Sequence, residues 1–224
     1  MKYCIFLWAA LFLSCSNESS VQLPQIVHSG NSIEKNDSKA FMKYDKNASE
    51  PLHFRGSDLP SVFYIDSRIS LKLLLPETIK LMDKKRSTTD GKNSEKSYFA
   101  FKTNKNDDVR LWDSSEIEYH QVANESAAEI ALLQQLSRLQ QKSHITEIVF
   151  KGQDAISINS VSVSKTDFVN RLRYMDSVQS KMQGLIFMKF DGKLTFQEYL
   201  TYKSMVENAG LKHATVSKNE FVFN

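Results

Sequence analysis

Cysteine is almost missing from this chain. There are two, Cys4 and Cys15, both within the first fifteen residues. Everything after Cys15 must therefore hold its fold without a disulfide, on a packed core alone. Glycine (7) and proline (4) are scarce among 224 residues, which excludes collagen-like and low-complexity chains and predicts that most of the sequence folds. Neither sign of charge dominates. Twenty-nine Lys and Arg face 26 Asp and Glu, a net charge of +3, with the signs interspersed. That balance argues against a nucleic-acid partner. No glycine-rich phosphate loop and no Gly-x-Ser-x-Gly elbow occurs. The five histidines, His28, His53, His120, His144 and His213, show no metal-ligand spacing, so neither a metal nor a cofactor is expected.

The one long apolar run is Cys4 to Leu13, ten residues behind a single Lys2. A membrane span needs roughly 20, so no mature transmembrane helix is expected. A short basic start, an apolar stretch and the small residue Ser14 before Cys15 are the layout of an export signal. The expectation is cleavage after residue 14, acylation of Cys15 and a tether over 15–20. The chain is then a lipoprotein of a bacterial cell envelope, attached to the membrane through its lipid and facing the periplasm or cell surface. Phe12 and Leu13 stand where the usual lipoprotein pattern has Leu and a small residue.

The remainder divides into residues 21–120, a helix within 121–144, and 145–224. Asn31–Pro51 and Asp83–Lys96 are polar and read as loops. Asn124 caps a helix to Lys142 with Ala128, Leu132, Leu136 and Leu139 on one stripe. The last third is an α+β pattern: a strand at Ile145–Lys151, then a hairpin of 156–158 and 161–163 turning at Asn159-Ser160. A helix is capped by Ser164 and Asp167 and ended by Gly184. A buried strand runs from Leu185 to Phe190. A second capping box, Thr195 to Glu198, starts a helix carrying Tyr199, Tyr202, Val206 and Ala209. Closing strands follow at 212–217 and 221–223. This order predicts a two-layer sandwich of helices on one sheet. Upstream, Val62 to Leu71 echoes Phe187 to Phe196, pairing Asp66 with Asp191, Ser70 with Thr195 and Leu75 with Leu200. That suggests a duplicated module. Pro76 suggests that the upstream helix starts there rather than at Ser70.

Over 145–224 this pattern resembles the periplasmic domain of the ExbD/TolR biopolymer-transport family. The residues that carry it are Ile156-Ser157-Ile158-Asn159, Val163 and Ser164 leading to Phe168, Ile186 to Asp191, Leu194-Thr195-Phe196 and Ala209-Gly210-Leu211. Val21-Gln22-Leu23-Pro24 is similar to the segment after that family's membrane helix. The resemblance implies a non-catalytic binding or coupling module, pairing with itself, with an energy-transducing complex or with peptidoglycan. The family's membrane aspartate has no counterpart here, so no proton-conducting residue is implied.

Asp191 with Glu198, and Asp66 with Asp83, are the carboxylate pairs worth weighing for acid–base work. Capping and turn roles explain them more simply, and no catalytic residue is assigned. The aromatic residues Phe187, Phe190, Phe196, Tyr199 and Tyr202 read as core. Phe221-Val222-Phe223, as a terminal strand, is expected at a sheet edge where another chain would pair with it. Three functions remain open: the coupling module, a structural lipoprotein that binds peptidoglycan or another envelope component, and an exported hydrolase with an unrecognised site.

Overall fold

The structure, a computed structural model, describes residues 20–32, 37–48, 52–88, 96–103, 108–128, 130, 144–152, 154–178 and 183–224. Over these described residues it is mixed α/β, with four helices and two mixed sheets of six strands each. The strands of the first sheet are β1 (Gln25–Ile26), β2 (Lys39–Tyr44), β3 (Leu52–Gly56), β4 (Val62–Ile65), β5 (Tyr98–Thr103) and β6 (Val109–Asp113). Helix α1 (Leu71–Thr88) links β4 to β5. The second sheet contains β7 (Glu118–Val122), β8 (His144–Lys151), β9 (Ala155–Ile158), β10 (Val161–Val163), β11 (Gly184–Asp191) and β12 (Ala214–Phe223). Its helices are α2, described at 125–128 and 130, α3 (Phe168–Val178) and α4 (Phe196–Glu207).

The two sheets share a topological kernel. In the first, the order β3-β2-β4-β5 joins an antiparallel hairpin to a parallel β-α-β unit. In the second, β9-β8-β11-β12 does the same. Helices α1 and α4 are equivalent crossovers. The halves meet at the starts of these helices through reciprocal backbone hydrogen bonds. Leu71 N–H donates to Leu194 O at 2.9 Å, and Phe196 N–H to Ile69 O at 2.8 Å. Lys72 N–H donates to Gly192 O at 2.9 Å, and Gln197 N–H to Ser67 O at 3.0 Å. Each bond maps onto its mate by one offset, 196 − 71 = 125 residues, with an antiparallel bridge between Ser70 and Thr195 at the centre. Amides that a helix start leaves without an internal partner are thus satisfied by the other half. The halves differ where α3 intervenes before β11, since only residues 57–61 separate β3 from β4.

One core cluster spans both sheets. Helix α4 lies at its middle and is buried around most of its circumference, with Phe196, Tyr199, Leu200, Tyr202, Lys203, Ser204 and Val206 inside. Phe196 meets Phe99 of β5 edge-on at 5.3 Å, and Tyr202 stacks on Phe150 of β8 at 4.6 Å.

Local signals account for much of this. Asn159 and Ser160 have φ of 48° and 66°. Two positive φ values in a two-residue link form the hairpin turn whose twist matches its strands. Thr195 accepts from Glu198 N–H while the Glu198 carboxylate accepts from Thr195 N–H at 2.7 Å, the reciprocal cap read from the sequence. Thr195→Ala should cost about 1 kcal/mol in urea unfolding, and a loss below a few tenths would mean the cap is redundant with the seam. Ser164 likewise accepts from Asp167 N–H at 3.1 Å, and Asn124 from Ala127 N–H at 2.9 Å.

Several expectations are corrected. The polar stretch 31–51 contains a central strand, β2, because Ala40 and Met42 alternate inward while Lys39, Phe41 and Lys43 take the other face. Residues 83–88 continue α1 instead of forming a loop. Helix α1 starts at Leu71 with Pro76 inside it, and Pro76 faces solvent, so its lost amide hydrogen bond lies on the exposed side. Gly184 opens β11 instead of closing a helix, and the two closing strands are one, β12. The signal segment 1–14, Cys15 and most of the helix expected to reach Lys142 lie outside the described residues.

Candidate functional site

Tyr199, Lys203 and Glu207 recur at four-residue spacing and so share one face of α4. That face points at the seam between β6 of the first sheet and β12 of the second. Opposite it, β12 carries a bulge. Val216 pairs with Ile186 but Glu220 pairs with Met188, so β12 spends four residues where β11 spends two. The bulge re-aims Glu220 toward α4.

The result is a buried polar chain. Lys203 Nζ lies 2.5 Å from Glu220 Oε1, with their side chains 4% and 2% exposed. Tyr199 Oη donates to Glu220 Oε2 at 2.6 Å, and the hydroxyls of Tyr119 and Tyr199 are 2.9 Å apart. The ammonium also sits over the Trp112 and Tyr199 rings, 5.7 and 5.4 Å from their centroids. Burial, reinforced by the Glu220 charge, pushes both phenols well above their ordinary range. A phenol held neutral in the fold loses stability as pH rises past its unfolded value of about 10. An absorbance titration should therefore show Tyr119 and Tyr199 silent while exposed tyrosines ionise, with stability falling above about pH 10. Ionisation alongside the exposed phenols would contradict the network.

A cleft of about 360 Å³ opens beside this chain, lined by Trp112, Ile117, Met188, Lys203, Val216 and Glu220 among others. Its rim charges are paired. Glu116 meets Lys218 at 2.8 Å, Asp113 meets Lys96 at 3.6 Å, and Glu207 meets His28 Nε2 at 3.1 Å. The His28 ring stacks on Trp112 at 4.1 Å.

The carboxylates weighed from sequence are not brought together as pairs. Asp191 accepts from Lys193 N–H at 2.9 Å in its turn, and Glu198 is the cap. Asp66 is buried and takes Arg68 in a bidentate contact at 2.9 and 2.8 Å, while Asp83 pairs with Arg86. Burial alone would raise Asp66, but the Arg68 side chain and the amides of Arg68 and Gln22 outweigh it and hold the carboxyl below its usual value. Phe221, Val222 and Phe223 require a correction. They are buried, and β12 is flanked by β11 on one side and by β7 on the other. Residues 220–223 of the terminal strand are paired on both sides, so Phe221, Val222 and Phe223 have no free edge to offer. Deleting Glu220 to Asn224 would remove the bulge carboxylate and is expected to unfold the protein.

Among the described residues no group of three or more His, Cys, Asp or Glu side chains is placed to hold a metal. No described helix is long and apolar enough to cross a membrane. The Lys203–Glu220 pair escaped sequence reading, because its members lie on α4 and β12 and only the fold brings them together. Comparison with known proteins gives no match to a family model, a curated protein or a solved structure.

Proposed function

We propose that this chain is a non-catalytic binding or coupling module of a bacterial cell envelope, tethered through lipid on Cys15 and related in its C-terminal half to the ExbD/TolR periplasmic domain. The observation that carries the non-catalytic reading is the way the buried ionisable groups are used. Lys203, Glu220, Tyr199 and Tyr119 satisfy one another across three elements instead of converging on an open position. A catalytic cleft needs polar groups aimed at a vacant reacting centre. These groups instead fasten α4, β7 and β12 together. The family reading rests on residues 156–159, 163–168, 186–191, 194–196 and 209–211. The order hairpin, helix, strand, helix, strand in that half is compatible with α+β, and the family reading rests on the sequence pattern alone.

In-cell crosslinking with a tag after Asn224 tests the coupling role. Capture of a proton-channel or TonB-like subunit is the expected result. Recovery of cell-wall material alone would replace coupling with a structural role, and turnover of an envelope substrate would overturn the non-catalytic reading.

A further inference from the structure

The two sheets treat their outer faces differently. The outer face of the second sheet meets α2, whose Ala128 packs with Phe187 and Phe221. On the first sheet the outer face carries a small buried apolar cluster of Val62, Ala100 and Leu111, joined by the partly buried Tyr64, Tyr98, Val109 and Leu23, and its accessible part lies over β2 and β3. All but Leu23 come from strands. Register fixes what else faces out. Phe41 pairs with both Tyr64 and Arg55, Lys43 with His53, and Lys39 with Val62. Directly paired residues share a face, so Lys39, Lys43, His53 and Arg55 join this surface. The Phe41 and Tyr64 rings stack at 4.9 Å, with Lys39 Nζ 5.8 Å from the Tyr64 centroid. Among the described residues, Asp113 lies on this face at the far strand, paired with Lys96, and burial, reinforced by the Asp37 charge, raises the Tyr64 phenol. The face is therefore aromatic and basic although the whole chain is nearly neutral.

We infer that the outer face of the first sheet lies against an anionic lipid headgroup surface. Cations near such a surface gain from its negative potential, and aromatic rings with polar tips favour the interface. Leu23 packs beside this face, and the N-terminal segment is held at the rim of the sheet, where Pro24 O accepts from Lys102 N–H at 2.8 Å and Gln22 O from Ser67 N–H at 2.7 Å. The orientation rests on the proposed anchor at Cys15. Four residues, 16–19, then separate the lipid from the described chain, a reach of about 14 Å at most.

The test uses the full chain with Cys15→Ser, in flotation with phosphatidylcholine vesicles and with vesicles containing phosphatidylglycerol. The readout is the ratio of the two partition coefficients, so charge-independent binding through the apolar residues 4–13 cancels. Wild-type surface charge should favour the anionic vesicles, and added salt should erase the preference. Lys39→Gln, Lys43→Gln and Arg55→Gln together should lower the ratio about 100-fold, roughly fivefold per cation. The control triple Lys80→Gln, Arg171→Gln, Lys193→Gln should leave it unchanged, and circular dichroism checks that both variants fold. An unchanged ratio in the first triple overturns the inference, as does binding to a soluble acidic glycan without vesicle preference. Failure of the anchor itself would show separately, as absence of acylation at Cys15 with the vesicle ratio intact.

Discussion

Glu220→Ala is expected to destabilise the protein by about 3–5 kcal/mol, because it strands the Lys203 ammonium in the interior. The ion pair is buried on both sides, and the Glu220 carboxylate accepts from both that ammonium and the Tyr199 hydroxyl. The loss should be far larger than the value of the pair itself. Replacing both partners with apolar residues of similar volume, Lys203→Met with Glu220→Leu, should recover most of it, since a packed apolar pair avoids desolvating two charges. Urea unfolding of the two single variants and the double variant measures this coupling directly. A Glu220→Ala loss below about 1 kcal/mol would mean that the carboxylate is hydrated in solution. It would reopen the adjacent cleft as a site of chemistry.

Phe196→Ala should cost a further large amount, about 3–5 kcal/mol. Phe196 is fully buried, and its ring meets Phe99 from the first sheet and Tyr199 from its own helix. Its amide also forms one of the reciprocal seam bonds, which alanine retains. The substitution thus separates side-chain packing across the seam from the backbone pairing. Unfolding should remain a single transition at a lower urea midpoint, because one core serves both halves. Two separated transitions would show that the halves are independent and that the seam is only a contact.

How much was legible in the sequence depended on whether a signal was local. The Asn159-Ser160 turn, the Thr195–Glu198 box and the continuous apolar run of β11 depend on a few adjacent residues, and each stands where its residues put it. The echo between Val62–Leu71 and Phe187–Phe196 has the same 125-residue offset as the seam hydrogen bonds. Strands β2, β6 and β7 were missed for a shared reason. Each is short and partly polar, and each is a strand because of distant partners: β2 between β3 and β4, β6 on β5, β7 on β12. The interior position of Phe221–Phe223 follows from β7, about a hundred residues earlier in the chain. Nothing near the C-terminus announces that pairing. Lys203 and Ser204 illustrate the same limit on α4. A helix wrapped by two sheets buries polar positions that its own pattern assigns to solvent.

Placement at the membrane is most directly tested by labelling growing cells with a radioactive or clickable fatty acid and fractionating wild type beside Cys15→Ser. Label on the wild-type chain, with Cys15→Ser unlabelled and released from the membrane fraction, is the predicted outcome. An unlabelled wild-type chain, or label that persists in Cys15→Ser, would contradict the anchor and with it the proposal of a tethered envelope module.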